Sequence, residues 1–216
     1  MIQFLLNGQR STYKGDPRRS LLSYLRDDRK ILTVKDGCSG QASCGACLVE
    51  VDSRAALACS TPMKRVAGKA VVTIEGFPEV VRRTLGRAFV AQGAVQCGFC
   101  TPGILTRAKI LLENNPNPSR AEVAKALKAH LCRCTGYVKI IDGILLAAAA
   151  LREGREIEWE RQTGIGVSSP KMDAYEKAIG TSAFIDDMQF EGMLFGALKF
   201  SVHPRARVLA LSLIHI

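Results

Sequence analysis

Residues 2–6 form an apolar stretch of strand length, and Asn7-Gly8 after them is a hairpin dipeptide. The pattern predicts two paired strands, the second returning through Ser11-Thr12-Tyr13. A short amphipathic helix follows at Leu21-Leu22-Ser23-Tyr24-Leu25, with Ser20 placed to cap it. Leu48-Val49-Glu50-Val51 and Ala70 to Ile74 are rich in β-branched residues and predict two further strands. Strands, one helix and more strands within residues 1–77 indicate a small α+β domain with a mixed sheet. From Pro78 the period changes to helical. Val81, Leu85, Phe89 and Val95 mark one helix, and Ile104, Ala108, Leu111 and Leu112 a second, with Thr101-Pro102 at its first turn. Val123, Ala126 and Leu127 mark a third, opened by a capping box from Ser119 to Glu122; Ile140, Ile144, Leu145 and Ala148 mark a fourth. The apolar stripes predict a four-helix domain over residues 78–153, its middle helices joined by Asn114 to Pro118.

Residues 154–169 are polar, charged and Gly/Ser-containing and read as a linker. Residues 170–210 read as the incomplete opening of a further α/β segment, too short for an independent core. The paired Asp186-Asp187 reads as solvated turn residues. The tail Leu211 to Ile216 is what CTG-TCT-CTT-ATA-CAC-ATC encodes, the start of a transposase adapter used in DNA library preparation. It predicts a non-native ending, with the natural chain running on past Ala210.

Charge changes the picture little. Lys and Arg number 30 against 20 Asp and Glu, a formal charge of +10, but the basic residues are scattered and not interleaved with aromatics, which make up 6%. Nucleic acid is therefore not the expected partner. The longest apolar run, Ile144 to Leu151, is far shorter than a bilayer span. The N-terminus carries no targeting pattern, which predicts a cytoplasmic protein.

Cysteine changes it decisively. Eight cysteines in an untargeted chain point to metal rather than disulfides. They fall into two quartets, Cys38, Cys44, Cys47 and Cys59, then Cys97, Cys100, Cys132 and Cys134. The first lies on a loop of Gly, Ser and Ala, residues small enough to let the backbone curl round an inorganic core and aim amides at its sulfides. Its first gap is one residue longer than the plant-type ferredoxin spacing, which predicts a local bulge. In the second quartet each pair opens a helix, where partial positive charge favours an anionic thiolate group. Zinc is the competing occupant of both quartets. His130 precedes Cys132 but reads as structural, since the quartet is already complete.

At Gln96 to Gly103 (Gln-Cys-Gly-Phe-Cys-Thr-Pro-Gly) and Leu131 to Tyr137 (Leu-Cys-Arg-Cys-Thr-Gly-Tyr) the sequence resembles the xanthine dehydrogenase/aldehyde oxidase family of molybdenum hydroxylases. Cys44-Gly45-Ala46-Cys47 agrees. The resemblance implies a ferredoxin-like β-grasp domain and a helical domain, each with one [2Fe–2S] cluster bound by its quartet. Ser168 to Lys177, Gly180, Asp186-Asp187 and Gly192 to Gly196 resemble the start of the molybdopterin-binding portion. It further implies that the second quartet lies nearest the molybdopterin, with Gln96 and Cys134 as pterin-side contacts, and that electrons then pass through the first quartet to an acceptor. Hydroxylation of a purine, or secondarily an aldehyde, would occur on residues beyond this chain. With only about 16 residues between the helical domain and the third segment, no FAD domain is expected here, so a flavoprotein subunit or another acceptor becomes the partner. The third segment looks closest to flavin-free, selenium-dependent xanthine dehydrogenases. The alternative is a stand-alone redox or zinc module that never meets molybdopterin.

Overall fold

The structure is a computed structural model that describes residues 1–159 and 163–211. Residues 160–162 of the expected linker and 212–216 of the expected tail lie outside the described residues. Residues Met1–Phe184 form one compact unit, and Ile185 onward a second.

Strand β1 (Ile2–Leu6) turns back into β2 (Gln9–Tyr13) at Asn7 and Gly8, whose φ angles of 50° and 80° are those of the mirror-image hairpin turn. Helix α1 (Leu21–Ser23) is a single turn, capped by Ser20 Oγ accepting from the Ser23 amide at 3.1 Å; a π-helical turn, Tyr24–Asp28, continues it. Strands β3 (Leu48–Val51), β4 (Arg54–Leu57) and β5 (Ala70–Val72) complete a sheet of order β2-β1-β5-β3-β4 among the described residues. The β1–β5 pair is parallel and the rest antiparallel, so the sheet is mixed, as the sequence predicts. Strand β5 is shorter than the apolar run, because Ile74 already begins a 3-10 turn. One face of the sheet closes on α1 around Phe4, Leu6, Leu21, Leu25, Val49 and Val71.

Helices α2 (Glu79–Ala91), α3 (Thr101–Asn114), α4 (Arg120–Ala126) and α5 (Val138–Glu153) form the second core around Leu85, Phe89, Ile104, Leu105, Ile140 and Ile144. The predicted capping box is present at α4: Ser119 accepts from the Glu122 amide, and Glu122 accepts from the Ser119 amide at 2.7 Å. Such a cap contributes about 1 kcal/mol. Helix α2 stops before Val95, since Gly93 takes φ 61° and turns the chain toward the second quartet.

Packing continues past residue 170, where the sequence places a domain boundary. Helix α6 (Ala174–Ile179) buries Ala174 and Ala178 in the helical core, and a side chain at Gly86 of α2 would meet the Tyr175 ring at 2.8 Å. Among the described residues of 170–211 there is no strand; a strand needs a partner for its backbone groups, and none is offered there. Residues from Ile185 carry one 3-10 turn, Ile185–Asp187, and exposed apolar side chains, Leu194 at 93% and Phe200 at 77%.

Candidate metal centres

The first quartet is assembled by the loop before β3 and the turn after β4. Cys47 directly precedes β3, and Cys59 lies in the 3-10 turn Ala58–Ser60 that follows β4, so the β3–β4 pairing brings the two together. Cys38 and Cys44 are hydrogen-bonding neighbours, and so are Cys47 and Cys59. The longer first gap is absorbed within the loop: Ser39, Gly40 and Ala42 all take left-handed φ angles of 50°, 80° and 56°. This is the expected bulge, and it does not part the thiols.

Backbone amides point at these sulfurs. The Ser43 amide, with help from Cys44, outweighs burial and pulls the Cys38 thiol down to about 6. Burial pushes Cys44 up, against the amides of Ala46 and Gly37. Burial also drives Cys47 up to about 12, opposed by the Cys59 amide. An amide cage of this kind stabilises thiolate charge, and burial keeps Cys44 and Cys47 as neutral thiols unless a cation or cluster takes their protons' place.

The second quartet lies between two helix starts. Cys100 is the N-cap residue of α3, with Pro102 in its first turn, and Cys132 and Cys134 precede α5. Cys97 and Cys134 Sγ atoms are 3.5 Å apart, and Cys100 neighbours Cys132. Burial, then the Cys132 thiol, raises Cys100. Burial of Cys132 is outweighed by the Thr135 hydroxyl at 3.1 Å and the amides of Cys134 and Thr135, which lower it. Cys134 is raised chiefly by its partner Cys97. Gln96, Cys97 and Cys134 are all exposed.

Each quartet thus resolves into two thiol pairs, Cys38/Cys44 with Cys47/Cys59 and Cys97/Cys134 with Cys100/Cys132. Among the described residues, no three or more His, Cys, Asp or Glu side chains converge as ligands of one ion. Paired thiols match a diiron core, with one pair on each iron, better than a single tetrahedral zinc.

The loops that carry the two quartets touch, a feature the sequence does not announce. The Leu131 amide donates to the Cys44 carbonyl at 2.9 Å, linking residues beside and within the two sets. A Cβ on Gly103 would sit 2.7 Å from the Gly45 carbonyl oxygen and 2.9 Å from that of Ala46, so only glycine admits this approach of α3 to the first loop. His130 is buried beside the junction, outside both quartets. Burial first, then the Arg107 charge, lowers it to about 4, and its Nε2 accepts from Arg107 Nε at 3.4 Å.

Known proteins are similar to this chain over both regions. Residues 4–67 match the 2Fe-2S iron-sulfur cluster binding domain, and residues 73–145 the [2Fe-2S] binding domain. Over 144 residues the chain is 41% identical to the nicotine 6-hydroxylase small subunit of Paenarthrobacter nicotinovorans, covering 67% of this chain and 87% of that subunit. The chain belongs to the iron–sulfur region of the molybdenum hydroxylases. Within this family it is also 37% identical over 202 residues to the aldehyde oxidoreductase of Megalodesulfovibrio gigas, covering 87% of this chain but 22% of that enzyme. The crystal structure of the aldehyde oxidoreductase from Desulfovibrio desulfuricans superimposes with a TM-score of 0.79 at 36% identity, over 86% of this chain and 22% of that one. The family assignment establishes an α+β iron–sulfur region with two 2Fe-2S domains and an electron-transfer role. No helix among the described residues is long and apolar enough to cross a membrane.

Proposed function

We propose that Cys38, Cys44, Cys47 and Cys59 bind one [2Fe–2S] cluster and Cys97, Cys100, Cys132 and Cys134 the other. The pairing of thiols within each quartet carries this reading. Each cluster supplies a one-electron couple when bound. The chain's own part is to fix four thiolates, surround them with amides that stabilise charge without rearranging, and keep the two loops touching at Leu131 and Cys44. Gln96 and Cys134, both exposed, are the proposed contacts for a molybdopterin-bearing partner.

We further infer that this partner is a continuation of the same polypeptide. The match to aldehyde oxidoreductase takes in 87% of this chain, third segment included, whereas the small-subunit match takes in 67%. The catalytic molybdenum site would then lie outside these residues, and its substrate would be an N-heterocycle or an aldehyde, with a purine as the narrower form. A flavoprotein or another acceptor would take the electrons. Eight unpaired cysteines suit a reducing compartment such as the cytoplasm.

Metal and sulfide analysis of the purified chain tests the proposal. Two diiron clusters require about four irons and four acid-labile sulfides per chain, with two distinct EPR signals on reduction. Zinc without sulfide would overturn it.

A further inference from the structure

The start of the third segment lies across the seam between the two cores. A Cβ on Gly180 would meet Thr33 Cγ2, ahead of the first cysteine loop, at 2.7 Å and Pro102 Cγ, in α3, at 3.1 Å. Phe184 packs edge-on against Phe99, with centroids 5.4 Å apart and planes at 85°. Phe99 stands between Cys97 and Cys100 in sequence, and its ring also reaches Gly37, where a Cβ would be 3.2 Å from it and 3.1 Å from Cys44 Sγ. Lys35 and Lys177 bring their Nζ atoms to 4.7 and 5.6 Å from the Phe184 centroid.

Lys177 is seated on the second quartet's own loop. A Cβ on Gly98, inside the Cys97–Cys100 turn, would be 2.6 Å from Lys177 Cβ and 3.3 Å from its Cγ. Lys171 is close enough to Cys97 to feel its thiolate, which opposes the lowering of its pKa by burial and by Lys177. Asp173 pairs with both lysines, at 3.2 Å to Lys177, so the group keeps one positive charge in excess.

We propose that Lys177, held in place by α6 and by the Phe184 ring, is a positioning residue that raises the reduction potential of the cluster held by Cys97, Cys100, Cys132 and Cys134. This rests on the two-cluster reading above. Reduction adds one negative charge to the cluster, and a cation whose stem packs on the cluster's loop, its ammonium held by Asp173 and the Phe184 ring in a partly desolvated site, favours the reduced form.

The test uses the cluster-loaded chain in EPR-monitored redox titrations, with Cys134→Ser identifying the signal of the second quartet. Lys177→Met keeps an apolar stem on Gly98 and removes the charge. Lys177→Gln keeps a hydrogen-bonding end for Asp173. With iron and sulfide at parental levels, both are expected to lower the reduced-to-oxidised ratio of the second cluster about tenfold at fixed potential, ~59 mV for one electron. The first couple moves less, and Lys177→Arg restores the parental value. Parental potentials in either fully loaded neutral variant overturn this inference and leave the two-cluster reading standing. Zinc without sulfide in the parent overturns both.

Discussion

Tyr137 holds φ at 69°, a left-handed conformation that costs a non-glycine residue about 1–2 kcal/mol. Its hydroxyl accounts for why the conformation persists: it accepts from the Cys132 amide at 2.9 Å and donates to the His130 carbonyl at 3.1 Å. Its own amide donates to Thr135 Oγ1 at 3.2 Å. Tyr137→Phe leaves the Cys132 amide and the His130 carbonyl without this partner and is expected to cost about 1–3 kcal/mol of stability. Denaturant unfolding of the loaded chain measures it; an unchanged midpoint would show that the hydroxyl is dispensable. The Cys-Arg-Cys-Thr-Gly-Tyr run is readable in the sequence as a cysteine motif. The work of Tyr137 within it is not, because propensity places a tyrosine in a strand or an ordinary helix turn. Gly103 is hidden for a related reason: its neighbours, the Gly45 and Ala46 carbonyls, lie far away in sequence.

Among elements, the ion pair between α3 and β3 joins the two cores. Lys109 and Glu50 side chains are 7% and 6% exposed, their charged atoms 2.5 Å apart, with Glu113 at 2.9 Å from the same ammonium. Burial opposes the Lys109 charge, but Glu50 and Glu113 outweigh it and raise its pKa above 10.5. The Lys109 charge therefore contributes its full share just below pH 10.5, and that contribution fades as pH rises through the raised value. Lys109→Met leaves the Glu50 carboxylate buried with no cation and should cost about 3–5 kcal/mol, much of it recovered by adding Glu50→Leu. Additive losses in thermal melts of the single and double variants would sink this account. The periodic residues of α3 predict the helix but pass over Lys109, since a lysine beside an apolar stripe ordinarily reaches water. Strand β4 was equally hidden. Its Arg54-Ala55-Ala56-Leu57 sequence is poor in β-branched residues, and its hairpin turns at Asp52 and Ser53, with φ 47° and 61°, without a glycine to signal it.

At the scale of the whole molecule, the two cysteine quartets were legible because thiol spacing is a local signal that survives any error in helix or strand boundaries. The end of the compact unit was not. Pro170 and the polar stretch before it suggest a break, yet α6 packs through Ala174 and Ala178, residues too small to mark a stripe, and the unit runs to Phe184. This places every cysteine, the last being Cys134, well inside the compact unit. Phe190, Phe195 and Phe200 beyond it are exposed, whereas Phe4, Phe77 and Phe89 within it are buried. Chymotrypsin needs an accessible aromatic in an unfolded stretch of backbone, so its cuts follow local opening rather than sequence alone. Limited digestion of the loaded 216-residue chain should first remove the region around Phe190 to Phe200, and the remaining core should keep its iron and its visible absorption. Mass spectrometry against absorbance follows both at once. An early cut between Ala174 and Phe184, or bleaching in step with trimming, would mean that the third segment is not anchored across the cores and that its hold on the second quartet is too loose to set a potential.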